Sequence, residues 1–369
     1  MRIGIDARVL YAPQIKGVGR YLQYLLNHLS EMNGGHEYVL FYDPRIASAD
    51  RTPRSHRVKA IPITARAEEI WEQWALPNAV RRAGLDLFHS PANTTMLWPP
   101  CPTVITLHDT MSHQAARGWG RWENFYWNSV QRWAYRSVRC HVTPTQFSRQ
   151  QIIDELRLPQ ERIVVVYHGI GQTYHPVSQS EILRWKESYN VQSPYVFVAG
   201  ARLARKNIPT ALRAFDLIAK QMGQIQLVVS GVSGVPEIET LVAQLSSRAR
   251  IRLLPHLDEP DLVVAYSGAE LFVFPSLRET FGFPPLEAMA CGVPVIASNA
   301  TCIPEVVGDG AYLVDCAQSQ PLAQAMIKVL EDSTLRAALI NRGLARAKQF
   351  RWERAAEQTL GVYKKAVQS

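Results

Sequence analysis

Two glutamates eight positions apart, Glu279 and Glu287, stand in the run Phe274-Pro-Ser-Leu-Arg-Glu279-Thr-Phe-Gly-Phe-Pro-Pro-Leu-Glu287. Carboxylate oxygens are acceptors, which the hydroxyl groups of a sugar or a ribose require. Pro284 and Pro285 suit the first turn of a helix that Gly292 ends, so Glu287 is expected in that first turn and Glu279 on the loop before it. The backbone N–H groups of Phe281, Gly282 and Phe283 would precede the helix and favour an anionic or hydroxyl-rich ligand, with Gly282 allowing close approach. An isolated pair of this kind also reads as a helix-dipole complement and a solvated loop charge.

Three further segments carry chemistry. In Gly200-Ala-Arg202-Leu-Ala-Arg205-Lys206-Asn207-Ile-Pro, Arg205 and Lys206 lead into an amphipathic stretch. Fixed cations at such a junction would stabilise charge on a departing phosphate, the arginine by forking across two oxygens and the lysine as a point charge. Basic loops are also common as plain solvated surface. His108 and Asp109 end the run Val104-Ile-Thr-Leu; a histidine there is either held by a backbone partner or a ligand contact, and Asp109 is the weaker, acceptor-side candidate. Lys16-Gly17-Val18-Gly19-Arg20 fails as a dinucleotide fingerprint, because Leu22 occupies the third glycine's place, yet it could receive a phosphate or an acceptor group as a helix start.

These segments need strands behind them. β-branched and aromatic runs at Ile3–Asp6, Tyr38–Tyr42, Arg57–Ile61, Leu85–His89, Val104–Leu107, Cys140–Thr143 and Ile163–Tyr167 alternate with amphipathic stretches such as Tyr21–Leu29. After a polar stretch, Pro176 to Ser193, the pattern restarts at Tyr195–Ala199, Ile225–Ser230, Ile251–Leu254, Glu270–Phe274, Val293–Ala297 and Ala311–Val314. Alternation of this sort predicts βαβ units on parallel sheets. Two α/β domains follow, residues 1–176 and 177–349, with a last helix at about 350–369. All four chemical segments fall just after strands, where open α/β sheets bind ligands.

Bulk properties narrow the class. At 369 residues, 47% hydrophobic and 20% charged, the chain is a folded two-domain protein. No apolar run reaches the length of a membrane span, and the start lacks a signal peptide's long apolar core, so a cytoplasmic location is expected, or one at the inner face of the cytoplasmic membrane. The five scattered cysteines show no metal or disulfide spacing, which fits small buried hydrophobes in a reducing compartment. The net charge of +8 is uneven: residues 1–178 hold 20 Lys and Arg against 14 Asp and Glu, and residues 179–369 hold 20 against 18. That excess is modest and no nucleic-acid-binding module matches, so nucleic acid is not expected as a partner.

The string PSLRETFGFPPLEAMACGVPVIAS closely resembles the E-x7-E signature of glycosyltransferase family 4, and Thr301-Cys302-Ile-Pro-Glu305-Val-Val-Gly308-Asp-Gly310 is similar to the segment that follows it in the family. The Arg205-Lys206-Asn207 loop, Leu107-His108-Asp109 and the terminal stretch from Phe350 also resemble family elements. The resemblance implies a GT-B fold: two Rossmann-like domains with parallel sheets facing across a cleft, and a C-terminal helix crossing back to the first. It implies a retaining transfer from an α-linked nucleotide sugar, GDP-mannose favoured over UDP-sugars, in polysaccharide, O-antigen or glycolipid synthesis. On the matching positions, Glu287 would bind the ribose, Glu279 the transferred sugar, and Phe281, Gly282 and Phe283 sugar hydroxyls and phosphate. Arg205 and Lys206 would take the diphosphate. His108 would contact the sugar or stabilise the transition state, and Gly17 lies on a loop that closes over the site. His168 stands where the family commonly has asparagine, and Arg202 could fill the place of a further family arginine. The catalytic set is thus His108, Glu279, Arg205 and Lys206.

The resemblance also implies front-face substitution, in which the leaving diphosphate accepts the acceptor's proton; no Asp-x-Asp motif is present, and no metal or other cofactor is expected. The acceptor would be a glycan or a lipid-linked oligosaccharide. Seven of nine tryptophans fall in the first half, and residues 117–139 interleave aromatics with arginines. That stretch fits peripheral contact with an anionic membrane, and equally an aromatic core with arginines snorkelling over it. A nucleotide-sugar isomerase or epimerase of the same architecture, or a non-catalytic nucleotide-sugar-binding module, are the alternative functions. An isomerase would convert donor without acceptor.

Overall fold

The computed structural model describes residues 1–368 apart from 14, 16, 33, 48, 111–121, 123, 124, 193, 201 and 202. Lys16 and Arg202, and residues 117–121, 123 and 124 of the aromatic and basic stretch 117–139, Trp119 among them, therefore lie outside the described residues. The chain forms two compact units, Met1–Gly169 with Arg351–Ser369, and Ile170–Phe350.

The first unit is built on a seven-stranded sheet whose strands are β1 (Arg2–Asp6), β2 (Glu37–Tyr42), β3 (Val58–Pro62), β4 (Leu87–Ser90), β5 (Thr103–Thr106), β6 (Cys140–Thr143) and β7 (Ile163–Val165). They lie in the order β3-β2-β1-β4-β5-β6-β7, every pairing parallel. The second unit holds a six-stranded sheet of β8 (Tyr195–Ala199), β9 (Gln226–Ser230), β10 (Ile251–Leu253), β11 (Leu271–Phe274), β12 (Val295–Ser298) and β13 (Tyr312–Val314) in the order β10-β9-β8-β11-β12-β13, again all parallel. These are the thirteen strands expected from the sequence, with ends shifted by at most two residues and two strands, Cys140–Thr143 and Tyr195–Ala199, matched at both ends.

Central strands of a parallel sheet are covered on both faces, so they read as unbroken apolar runs. β11, Leu-Phe-Val-Phe, is buried throughout. The covering helices show the complementary stripe: Leu22, Leu25, Leu26 and Leu29 are the buried face of the helix Gly17–Glu31, and Leu212, Phe215 and Ile218 that of Ile208–Ile218. The polar stretch after Pro176 is itself helical over Gln179–Ser188, started by a capping box in which the Ser178 side chain accepts from the Glu181 N–H while Glu181 reaches back.

The last helix, Trp352–Gln368, belongs to the first unit. Trp352 stacks on Tyr24 with ring centroids 5.4 Å apart, and the Tyr363 hydroxyl lies 2.7 Å from His89 Nδ1 at the end of β4. Gly169 closes this contact. A Cβ there would sit 2.3 Å from the Trp352 nitrogen and 2.7 Å from the Arg351 carbonyl carbon, both backbone atoms that cannot swing aside. Gly169→Ala is therefore expected to destabilise the protein by about 1–3 kcal/mol through overpacking, read as a lower denaturant midpoint; an unchanged midpoint would show that the last helix is not rigidly seated.

Candidate active site

The second sheet reverses its winding between β8 and β11, since the chain builds outward on one side to β9 and β10 and on the other to β12 and β13. At such a switch point the loops leaving neighbouring strands part and open a crevice beyond their carboxyl ends. The loops concerned are those after β8 and β11, which carry Arg205, Lys206 and Glu279. Gly200 leaves β8 with its N–H on the Ser230 carbonyl at 3.0 Å, and a Cβ would press on that oxygen at 2.9 Å. Ala204–Lys206 makes a single turn that ends at Asn207, whose φ of +54° lies in the left-handed region asparagine tolerates. The Asn207 amide donates to the carbonyls of Cys316 (2.7 Å) and Pro275 (3.3 Å). The Arg205 carbonyl accepts from the Leu277 N–H at 2.8 Å, and the Ser276 hydroxyl oxygen lies 3.0 Å from it. The two loops are thus laced together by main-chain groups before any charge is considered.

Three donors then converge on one oxygen of Glu279. Lys206 Nζ and Arg205 Nη1 each lie 2.7 Å from Oε1, and Ser276 Oγ lies 2.6 Å from it. Glu279 is only 8% exposed. Burial pushes its carboxyl pKa upward, but Lys206 and Arg205 outweigh that and hold it below the usual carboxylate value. Arg205 also donates to the Arg278 carbonyl at 3.1 Å, and Lys206 sits 5.0 Å above the Phe274 ring, so both cations are fixed in direction.

The helix that follows runs Phe283–Ala290, with Gly282 as its N-cap at φ +87°. Glu287 therefore lies in the second turn, not in the first as the two prolines suggested: the prolines occupy N2 and N3, and the helix begins at Phe283. Glu287 is 2% exposed and accepts the Tyr266 hydroxyl at 3.2 Å. Burial and the Glu287 carboxylate together raise the Tyr266 hydroxyl pKa well above its ordinary value. At Gly282 a Cβ would meet Ile303 Cδ1 at 2.7 Å; both the left-handed φ and this contact select glycine. Phe281 packs edge-on against Phe283 (5.0 Å) and Phe350 (5.8 Å), which anchors the run whose N–H groups precede the helix. Arg346 holds the neighbouring helix Ile303–Val307 by donating to the Val306 and Glu305 carbonyls at 2.9 and 2.6 Å.

In the first unit His108 is buried two residues beyond β5. Its N–H donates to Asn93 Oδ1 at 2.7 Å, and Nε2 lies 2.9 Å from the Pro91 carbonyl. A carbonyl only accepts, so Nε2 carries the proton and Nδ1 is the lone-pair side of the ring. Burial lowers the His108 pKa, against smaller opposing effects of Pro91 and Asp109. The Tyr21 ring packs against both His108 (5.0 Å) and His168 (4.6 Å), and His168 stacks on Trp352 at 5.8 Å. His168 is thus a packed core ring. Gly17 opens its helix exposed, with open space where a Cβ would be; the close approach falls on Gly19, whose Cβ would meet Ile15 Cγ1 at 2.7 Å and the Val9 carbonyl at 2.9 Å.

Sequence reading missed one buried cluster at the switch point of the first sheet, between β1 and β4. Arg8 lies 2.7 Å from Asp6 Oδ2, 2.7 Å from Glu72 Oε2 and 3.0 Å from Glu68 Oε1, with its guanidinium 4.3 Å above Trp71. Glu72 Oε1 accepts from Tyr126 at 2.5 Å and Gln131 at 2.7 Å. An arginine two residues beyond an aspartate at the end of β1 was the available signal; the carboxylate partners 60 and 64 positions away were not. Ser276 and Tyr266, which hold the two glutamates, were also missed: Ser276 stands only three residues before Glu279 and Tyr266 is 21 residues before Glu287, but neither residue type at that spacing announces the bond.

Among the described residues no group of three or more His, Cys, Asp or Glu is placed to hold a metal ion. The geometry offers fixed positive charge, carboxylate acceptors and a helix start, a set suited to an anionic, hydroxyl-bearing ligand.

Residues 179–346 match the model of the family "Glycosyl transferases group 1", and residues 15–172 that of "Glycosyltransferase Family 4". O-antigen chain mannosyltransferase B of Escherichia coli is 29% identical over 367 residues, covering 95% of this chain and 96% of its own. The MMP alpha-(1->4)-mannosyltransferase of Mycolicibacterium hassiacum is 27% identical over 407 aligned positions, covering 95% of each. Among solved structures, sucrose-phosphate synthase of Thermosynechococcus elongatus superposes with a TM-score of 0.79 at 21% identity over 99% of this chain and 98% of that one. HepE of Anabaena in complex with UDP-glucose gives 0.78 at 19% identity, over 99% and 100%. At those identities the structural likeness concerns the fold.

Since the folded-state pKa of Glu279 is depressed, its stabilisation is present above the ordinary carboxylate range and is lost as pH falls through the depressed value. Glu279→Gln is expected to cost about 1–3 kcal/mol at neutral pH, with the gap to wild type closing well below about pH 4. Urea unfolding at neutral and acid pH measures this; a gap independent of pH would mean that the charge on Glu279 is not what stabilises.

Proposed function

We propose that this chain, which belongs to glycosyltransferase family 4 and has the GT-B fold, transfers a mannosyl group from GDP-mannose to a glycan or lipid-linked oligosaccharide with retention at the anomeric carbon. The observation that carries the reading is the surplus of fixed positive charge at the second sheet's switch point, where two cations meet one buried carboxylate. A departing nucleoside diphosphate needs such charge in place before the bond breaks. The mannosyltransferases among the relatives support mannose as the sugar.

In this reading Arg205 and Lys206 bind the diphosphate, and the N–H groups of Phe281, Gly282 and Phe283 meet phosphate and sugar oxygens. Glu279 holds a hydroxyl of the transferred sugar, and Glu287 anchors the ribose. The acceptor oxygen forms its bond to C1 on the face from which the diphosphate leaves. The C1–O bond electrons pass to the diphosphate, whose oxygen takes the acceptor's proton. His108, uncharged at ordinary pH with its proton committed to Pro91, serves as a neutral contact to the sugar and not as a base. No step calls for a metal ion.

Purified protein with GDP-mannose and a mannosylated acceptor should give an α-linked product, read from the anomeric signals by NMR, at a rate that chelation of divalent ions leaves unchanged. Lys206→Ala should lower kcat/KM about 100- to 1000-fold, and Glu287→Ala should weaken GDP binding by at least about tenfold, both with the fold retained by circular dichroism. A β-linked product would overturn retention, a chelation-sensitive rate would overturn metal independence, and full activity in both variants would overturn the site. Conversion of the donor without acceptor would indicate an isomerase.

A further inference from the structure

Six of the large apolar side chains that the described residues leave exposed fall on three segments of the first unit: Ile70, Trp74, Trp98, Trp122, Phe125 and Trp133. Trp74 is 70% exposed, Trp98 76% and Trp133 68%, although Trp71, three residues before Trp74, is fully buried. Exposed tryptophans in this number are not what a solvated surface selects.

Polar groups beneath fix the three segments that carry them. Gln73 donates to the Thr95 carbonyl and lies 3.1 Å from the Tyr126 hydroxyl, while its oxygen accepts from the Leu97 N–H at 2.8 Å. Gln131 joins the same cluster through Thr95 and Glu72. Trp74, Trp98 and Phe125 are the immediate chain neighbours of these bonded residues, so the outward side chains surround one small area. Along helical residues 68–83, Ile70, Trp74, Asn78 and Arg81 follow at intervals of four, four and three, one outer stripe. Along helical residues 125–137, Phe125, Ser129, Trp133 and Arg136 form another, with the Trp122 ring tilted against Phe125, centroids 5.7 Å apart. Each stripe passes from apolar side chains to an exposed arginine.

Charge selects the occupant. Residues 125–139 contain Arg132, Arg136 and Arg139 and no acidic residue; Arg81, Arg82, Arg136 and Arg139 are exposed. On the facing helix Glu72 is buried against Arg8, so the surface carboxylates there are Glu69 and Glu68, the latter's charge offset by its pairing with Arg8. We propose that this tryptophan and arginine face seats the first unit on an anionic lipid bilayer, the indoles at headgroup depth and the arginines among the phosphates. No helix of the described residues is long and apolar enough to cross a membrane, so the contact is peripheral. The proposal stands apart from the transfer reaction.

The test is co-sedimentation of the full chain with phosphatidylcholine vesicles and with vesicles that also contain phosphatidylglycerol. The chain is expected to bind the anionic vesicles, and to lose at least about tenfold in affinity when salt rises from about 0.1 to 1 M and shortens the screening length from about 10 to 3 Å. Replacing Trp74, Trp98 and Trp133 together by serine should lower binding by at least about tenfold, with melting temperature and GDP binding unchanged. Arg81→Ser with Arg136→Ser should weaken binding to anionic vesicles alone. Equal binding by wild type and the triple variant, or no vesicle binding, would overturn the proposal. Concentration-dependent dimerisation that the triple variant abolishes, without vesicle binding, would do so in favour of a second copy of the chain. GDP binding, measured without vesicles, reports separately on the donor site.

Discussion

A carboxylate almost withdrawn from water must be neutralised or paired, and the donor-side loops are organised around the second solution. Glu279 and Lys206 are 73 positions apart in the chain, yet their loops leave adjacent parallel strands at a point where the winding reverses. Topology brings them together first. The bond from the Leu277 N–H to the Arg205 carbonyl, and those from the Asn207 side-chain amide to the Pro275 and Cys316 carbonyls, then remove the freedom the loops would otherwise have. Only with that frame in place can three donors aim at one oxygen without a large ordering cost at the moment of binding. A ligand phosphate entering there would share two cations already held in place by Glu279, so that little reorganisation would accompany its arrival.

The first sheet has its own buried ion cluster at the corresponding switch point, and the sign of its charge is opposite. One cation, Arg8, is surrounded by Asp6, Glu68 and Glu72. There the guanidinium is consumed by its partners; burial works against its charge, but Asp6 and Glu72 more than compensate and raise its pKa further. The cluster extends through Tyr126 and Gln131 to the helical segment that carries Trp133, which makes it a brace for the outer helices. Two crevices of the same topology are thus set apart by stoichiometry: surplus negative charge in the first, surplus positive in the second. An anionic nucleotide selects the second on that ground alone.

Much of this was legible in the sequence because it is local. Strands such as Leu271–Phe274 are unbroken apolar runs, and the helix Gly17–Glu31 repeats leucine at its own period. Family resemblance added the chemistry of the loops. What could not be read was pairing across distance: that Lys206 meets Glu279 and that Arg8 reaches Glu72, 64 positions away, depend on which strands lie side by side; the Ser276 bond to Glu279, three residues on, is local and was passed over because a loop serine carries no signal of its own. Local geometry could also mislead. Two consecutive prolines suggested that Glu287 sits in the first helical turn, but the left-handed Gly282 starts the helix at Phe283 and moves Glu287 into the second. Likewise, of the two glycines in the first turn of the helix Gly17–Glu31, the nearer to the loop has open space and the next is pressed against Ile15 and Val9, a distinction that spacing alone does not contain.

The protonation states follow from the same packing. His108 gives its one proton to a backbone carbonyl and is kept neutral by burial, and Glu279 is kept ionised by two cations. Neither is poised to exchange a proton near neutral pH, since one would have to charge in a buried place and the other would have to discharge beside fixed positive charge. Under the proposed reaction, then, the acceptor's proton has no side-chain destination among these residues. In that proposal the leaving diphosphate, whose oxygens gain charge as the bond to C1 breaks, would be the base, and the protein's contribution would be to fix where that charge appears.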